Sequence, residues 1–334
     1  MRSLRAVPSS VLAGAVLVFA VSVPAAADDH DGFTIKDPRI VESSGLAASR
    51  AHPGVYWTHN DQDKGAFLYA VDSKTGETVA TVTMTGVGAP RDVEAISVGG
   101  DGNIYVGDIG DNLNGTWSNV WVYKLPEPKQ LKDQTVRATQ YVVKYADGAR
   151  DAEALMVHPK TGRIYIVSKN EDGGGLYEGP EQMSASGTNV FRRIGEIDLW
   201  VTDGAFSPDG EQLAVRGYFG GIWYAWQGEG KKPQRKGRLS VPLQRQGESV
   251  TYTTDGTTLM YGTEGGQSDV EPVEAPGGAG GGGSDSSSGG AGSGQDGGGD
   301  SGIDGNVKTG AVVLGAILLA FFGLKRLGRR GGRH

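Results

Sequence analysis

The chain contains no cysteine. Disulfide staples, thiolate metal sites and cysteine nucleophiles are therefore excluded, and the fold must hold through core burial alone. Histidine is scarce, with five residues in 334. His30 lies near the start of the folded part, His52 and His158 precede proline in turns, His334 ends the chain, and only His59 sits beside acids. Neither a G-x-S-x-G elbow nor an H-E-x-x-H helix is present, which removes two common hydrolase frameworks. Helix-period apolar patterning is nearly absent between residues 28 and 275, and the long apolar runs fall only at the two ends.

Those ends read as address and anchor. Arg2 and Arg5, the apolar run from Val11 to Val23 and the small residues Ala25-Ala26-Ala27 form a secretory signal over 1–27. Thr309–Leu324 is uncharged and apolar, about 24 Å as a helix, and Lys308 and Lys325 can snorkel to complete a span. The segment 307–325 is thus expected to be a transmembrane helix. The basic tail 326–334 is placed in the cytoplasm by the positive-inside rule. Between fold and membrane, 276–306 is a Gly/Ser-rich stalk with a flexible reach of roughly 30 Å. The expected protein is a single-pass cell-membrane protein whose ectodomain, 28–275, lies outside the cell.

The chain carries a net charge of −7. Its ends hold eight basic residues (Arg2, Arg5, and six from Lys308 on) against four stalk aspartates, which leaves the ectodomain near −11. Such a surface disfavours nucleic acid and anionic lipid and suits cations or basic partners.

Within the ectodomain the apolar runs are short, rich in Val, Ile, Tyr and Trp, and bounded by Gly, Asp and Pro, which is strand patterning. Aligned on Leu46, Ile96, Leu155, Phe206 and Val250, they recur at separations of 50, 59, 51 and 44 residues. After each comes a turn ("HPG", "GDG", "KTG", "PDG", "TDG") and a second strand ("VYWT", "IYVG", "IYIV", "LAVR", "LMYG"). Four units continue into third and fourth strands; the fifth stops at "TEGG", and "FTIKD" (33–37) is expected to supply its missing strand and close the ring. The fold class is all-β, a β-propeller of five blades. A sixth, degenerate blade stays open, because the 96-to-155 interval is long enough to hide further strand.

The phrases "RDVEAI…GDGNIYVGDIGDN" and "RDAEAL…TGRIYIVSK" resemble a family of secreted or membrane-anchored actinobacterial propeller proteins, loosely grouped with phytase-like and SdiA-regulated-like propellers. The resemblance covers most of 41 to 265. It implies a fold and a location rather than a reaction.

The acids carry the functional question. Glu42, Asp92 and Glu94, Asp151 and Glu153, Asp203, and Glu248 all precede the aligned position of their unit by two to four residues. In a propeller the first strand of each blade lines the centre, so these carboxylates should converge at one mouth. Crowded carboxylates repel one another, and a hard cation such as Ca²⁺ relieves that. Asp92, Glu94, Asp151, Glu153, Asp203 and Glu248 are the candidate metal ligands. Arg91 and Arg150 offer the alternative, a ring of salt bridges. A second cluster, Asp108, Asp111 and Asn112, follows the second strand of its unit and suits either a subsidiary site or Asx-turns. No organic cofactor is indicated. Trp117 and Trp200 look loop-borne and could stack on a sugar or peptide. The expected function is a ligand- or protein-binding module, with a phytase-like, metal-dependent phosphoesterase as the alternative. That alternative would draw its phosphate-binding cations from Arg91, Arg150, Lys169 and Arg216.

Overall fold

The computed structural model describes residues 30–61, 65–113 and 115–277. The expected signal, nearly all of the stalk, the span and the tail lie outside the described residues. Among those described, no helix is long and apolar enough to cross a membrane.

The described chain is all-β and propeller-like. It opens with β1 (Phe33–Thr34) and then repeats a short antiparallel meander. The first unit holds β2 (Leu46–Ala48), β3 (Val55–Thr58), β4 (Phe67–Asp72) and β5 (Thr78–Thr85). The second holds β6 (Val93–Val98), β7 (Asn103–Asp108), β8 (Val120–Pro126), β9 (Gln134–Arg137) and β10 (Thr139–Tyr145). The third runs through β11 (Ala152–Val157), β12 (Ile164–Ser168), β13 (Gly174–Glu178) and β14 (Thr188–Ile197). The fourth comprises β15 (Val201–Phe206), β16 (Gln212–Gly217), β17 (Gly220–Ala225) and β18 (Gln234–Leu239). The last comprises β19 (Gly247–Tyr252), β20 (Thr258–Thr263) and β21 (Asp269–Glu274).

Two pairings depart from the expected meander. The last unit does not stop at its second strand; β21 follows, and β1 pairs antiparallel with it through Phe33↔Val270 and Thr34↔Asp269. The N-terminal strand does complete this unit as its outer, fourth strand, with β21 as the third that was not expected. The extra chain in the 96-to-155 interval is β9, which leaves its own unit to pair parallel with β5. It extends the outer edge of the first sheet. A second parallel pair, β10 with β14, joins the outer edges of the second and third units into one eight-stranded sheet.

Local chemistry sets the repeat. The turn after each first strand ends in Gly54, Gly102, Gly162, Gly210 or Gly256, and all five have φ between 71° and 78°. That left-handed conformation favours glycine over any residue with a Cβ. In three of these turns the preceding aspartate accepts the amide proton two residues on: Asp101 from Asn103, Asp209 from Glu211 and Asp255 from Thr257. These are Asx-turns, so the repeated D-G spacing is a folding signal.

The five first strands (β2, β6, β11, β15 and β19) neighbour one another in a closed cycle. Five hydrophobic clusters lie among the described residues, each shared between two successive units. The cluster at the join of the chain's two ends packs Phe33, Ile35 and Ile40 against Leu46, Tyr56, Met260 and Val270. Ile35 is 1% exposed, and its amide donates to the Ser268 carbonyl at 2.9 Å.

Closure by this N-terminal segment is testable. Ile35→Ala removes a fully buried side chain and should cost about 2–4 kcal/mol. For a domain of this size that lowers Tm by roughly 5–15 °C. A melt unchanged to within a degree would show that the segment contributes nothing to closure.

Candidate functional site

The pairing registers reveal one irregularity shared by four units. Val93 pairs with Asp108 and Ala95 with Gly107, which leaves Glu94 as an extra residue. The same shift leaves out Glu153 in β11, Thr202 in β15 and Glu248 in β19. A β-bulge re-aims the side chain it adds. Here it does so at the leading end of each first strand, where the strands crowd together. The registers also correct the alignment of the fourth unit: the residue two places after the bulge is Gly204, which pairs with Val215, not Phe206. That unit therefore carries Thr202 in place of a carboxylate, and its hydroxyl donates to the Glu248 carbonyl at 2.8 Å.

A repeated backbone bond builds a second ring beside the first. A residue one to three places beyond the second strand donates its amide proton back to the chain just ahead of the first strand. Asp61 donates to Glu42, Gly110 to Asp92, Lys169 to Asp151 and Glu264 to Gln246, at 2.8 to 3.2 Å. In the second, third and fifth units the stitch places that residue beside the bulge; the first unit has no bulge, and its stitch holds Asp61. Asp61 lies in this set, and its role was missed in the sequence. It follows a second strand, on a segment well separated in the chain from Asp92 and Glu94.

One ligand oxygen each from Asp61, Asp92 and Glu94 lies within 4.8 Å of the others, and all three residues are buried. Gly110, the stitch residue of the second unit, makes the space. A Cβ there would sit 2.8 Å from Asp92 Cγ and 2.8 Å from Glu94 Oε1. Asn112 donates its amide to Asp92 Oδ2 at 2.8 Å. No described lysine or arginine forms an ion pair with any of the three. One oxygen of Asp61 is buried without a hydrogen-bond partner.

The other half of the rim is neutralised. Lys169 forms an ion pair with Glu153 and donates to the Tyr218 hydroxyl at 3.0 Å. Burial works against its charge, but Glu153, Tyr218, Glu248 and Glu94 outweigh it and hold the amine protonated. Glu248 is buried on the same rim, where burial and then Glu153 push its carboxyl up.

The remaining candidates separate by role. Asp203 is buried and accepts the amide protons of Gly204 at 2.7 Å and Val250 at 2.8 Å, so it clips the fourth unit to the fifth. Asp151 accepts the Asp111 amide proton at 2.8 Å. Asp108 accepts the amide protons of Arg91 and Asp92, both at 3.0 Å, together with the Tyr123 hydroxyl proton, and thereby sets the start of β6. Asp111 accepts Thr116 Oγ1–H at 3.1 Å and the Trp117 amide proton at 2.6 Å. Asp108 and Asp111 thus have turn roles, and only Asn112 of that trio reaches the main cluster.

The expected arginine ring does not form. The Arg91 guanidinium stacks on Trp117 at 4.0 Å and Trp121 at 3.7 Å. Arg150 pairs with Asp147 at 2.7 Å and lies over Tyr177. Arg216 is fully buried and donates to the carbonyls of Ser249 and Gly262. Trp200 packs edge-on to Tyr218, 5.1 Å between centroids. Trp117 and Trp200 are therefore engaged within the fold. His59 is buried, and desolvation takes its pKa down to about 4, so it is neutral.

No family model matches the chain, and no curated protein matches it. Many solved structures are similar to it, among them three at low identity. One is a chain of Kuenenia stuttgartiensis hydrazine synthase (13% identity, 66% of this chain and 61% of that one, TM-score 0.37). Another belongs to a mitotic checkpoint complex (11%, 69% and 63%, TM-score 0.37). The third is a protein named as a 6-phosphogluconolactonase from Bacteroides uniformis (14%, 70% and 67%, TM-score 0.38). The chain spans 61% to 67% of the length of these neighbours.

Desolvation gives the cluster a pH signature. Burial raises Asp92 to about 6, helped by Asp151 and Asp108, and raises Glu153 to about 8 despite Lys169. Burial also raises Asp61, with Asp92, Glu42 and Glu264 adding to it, and Glu94, with Asp61, Glu153 and Asp92 adding to it. In the unfolded chain these groups titrate near 4. A carboxyl raised in the fold contributes stability that is full below its unfolded pKa and lost as pH climbs through its folded one. In EDTA, Tm should therefore fall by several degrees between pH 5 and pH 8, and Asp92→Asn should flatten the step near 6. A Tm that holds or rises across that window would contradict desolvated carboxyls at the rim.

Proposed function

We propose that the chain is a five-bladed β-propeller displayed outside the cell on its stalk and single span. It acts as a binding module for a ligand or protein whose docking face is organised by a divalent cation. The observation that carries this reading is the trio Asp61, Asp92 and Glu94, buried together with no paired described cation. An all-oxygen donor set suits hard cations, and Ca²⁺ is the natural one outside a cell. Three carboxylates supply the protein ligands, and water completes the six to eight that Ca²⁺ takes.

Binding is favoured over phosphoester hydrolysis because the needed cations are spent elsewhere. Arg91 and Arg150 stack on aromatics, Lys169 serves Glu153, and Arg216 is fully buried, with its Nη1 on backbone carbonyls and its Nε and Nη2 enclosed without a described hydrogen-bond partner. A docking role also fits the surface. Phe67, Leu113, Phe219 and Leu243 are exposed. By chain connectivity all four lie at the end where second strands finish and first strands begin, the same end as the acids. Apolar side chains gathered around a polar centre are the usual make-up of an interaction surface.

The test is a thermal melt of the full chain in detergent, in EDTA and then in millimolar Ca²⁺ at pH 7.5. A site filled to a thousand times its Kd stabilises by about 4 kcal/mol, a rise of roughly 8–16 °C here. Asp61→Asn with Asp92→Asn should abolish the rise. The same Tm with and without Ca²⁺, or a rise that survives the double substitution, would remove the cation from this site.

A further inference from the structure

The opposite end of the ring carries a different surface. A cavity of about 230 Å³ opens where the five first strands finish, lined from every unit by residues such as Ala47, Ser97, Val157, Gly204 and Thr251. Short side chains such as Ala47 and Gly204 alternate in the lining with larger apolar ones, Leu46, Ile96 and Phe206, and with the polar Ser97, Thr251 and Thr253. That volume corresponds to roughly seven or eight waters, and exceeds an apolar cavity of about 150 Å³ known to hold benzene. No carboxylate lines it, although the protein as a whole is acidic. Its one charged lining residue is Arg50.

Arg50 is presented on a fixed turn. The buried Glu127 carboxylate accepts the Ser49 hydroxyl proton at 2.6 Å, the Ala51 amide proton at 3.2 Å and the Trp57 indole proton at 2.9 Å. The His52 ring meets the Pro128 carbonyl at 2.7 Å. The backbone on both sides of Arg50 is thereby held, while its own side chain is exposed and pairs with no described acid. Two hydroxyls on the wall are only loosely used. Ser97 Oγ accepts the Val157 amide proton at 3.3 Å, and Thr251 Oγ1 accepts that of Ala48 at 3.5 Å. Both bonds are at or beyond the long limit for such contacts; the Thr251 hydroxyl also donates to the Tyr252 carbonyl at 3.4 Å, which leaves the Ser97 hydroxyl to turn its proton to a ligand.

We propose that this end of the ring is a binding site for a small organic anion, a monocarboxylate on a compact apolar body. The apolar part of the wall, Leu46, Ile96, Val157 and Phe206, receives the body, and Arg50 pairs with the carboxylate at the mouth. Guanidinium matches a carboxylate through two parallel hydrogen bonds, and the Ser97 hydroxyl adds a donor. The site lies at the far end of the ring from the acidic cluster, and neither depends on the other.

The test uses benzoate as probe, its neutral isostere benzamide as comparison, and the full chain in detergent with EDTA present, read by ligand-detected NMR and calorimetry. Benzoate should bind at millimolar Kd or better, and benzamide should bind at least tenfold more weakly. Arg50→Gln should weaken benzoate about tenfold and leave Tm unchanged, since the side chain is exposed, while Arg50→Lys should retain part of the affinity. Equal binding of benzoate and benzamide, an unaltered benzoate Kd in Arg50→Gln, or no binding of benzoate up to 10 mM (on the order of the weakest useful affinity) would each overturn the proposal.

Discussion

The burial of the first strands governs everything else in this molecule. Each neighbours two others around the ring, so neither of its sides is left for water. In β11 and β19 every residue is buried. A strand in that setting accepts apolar side chains along its length without penalty. An acid placed at its leading end loses solvent, and the acid's pKa rises. The bulges at Glu94, Glu153 and Glu248 place acids there. The backbone stitches then bring Asp61 and Lys169 alongside. Local geometry and site electrostatics thus have a single origin in the packing of the ring.

The same packing makes the two ends of the ring unlike. At the leading end the bulges and the connections between strands carry acids, one lysine and exposed apolar side chains. At the finishing end the tight Asx-turns leave a cavity with a single cationic residue. Strand direction is what separates them, because all five first strands run the same way around the centre. A polar residue at the start of a first strand and one at its finish therefore belong to different surfaces, even when only a few positions apart in the chain.

Much of this was legible in the sequence. The turn glycines, the β-branched and aromatic second strands and the spacing of the units identify the strands almost residue for residue, as with "VYWT", which is β3 itself. The last-unit strand β21 was not legible, because "DVEPVE" has a proline and three acids and reads as a loop. It can be a strand because five of its six side chains are not buried. The candidate acids were found in their neighbourhood but not in their roles. Asp203 precedes the aligned apolar position of its unit as Glu94 does, yet a two-residue difference in alignment makes it an inter-unit clip, and only the pairing register shows that. Arg91 and Arg150 adjoin acids in the chain but lie on the irregular segments leading into β6 and β11, where their guanidinium groups turn to Trp121 and Tyr177 instead. Asp61 and Gly110 could have been found by one signal: each is the residue stitched back from beyond a second strand, a position that the repeat itself defines.

The balance of charge at the rim is the ground for placing a cation there. Lys169 occupies the stitch position of the third unit and answers Glu153 and Glu248. The second unit has Gly110 at that position, and the first has Asp61. Where one part of the rim gains an amine, the adjacent part gains a further carboxylate and a space bounded by Asp92 and Glu94. Desolvated acids can lower their free energy by taking up protons or by sharing a metal ion. With protons the cluster is only a liability that grows with pH. With a metal ion the missing side chain at Gly110 and the unsatisfied oxygen of Asp61 both acquire a purpose, and the apolar loops around them acquire a fixed centre to be arranged upon.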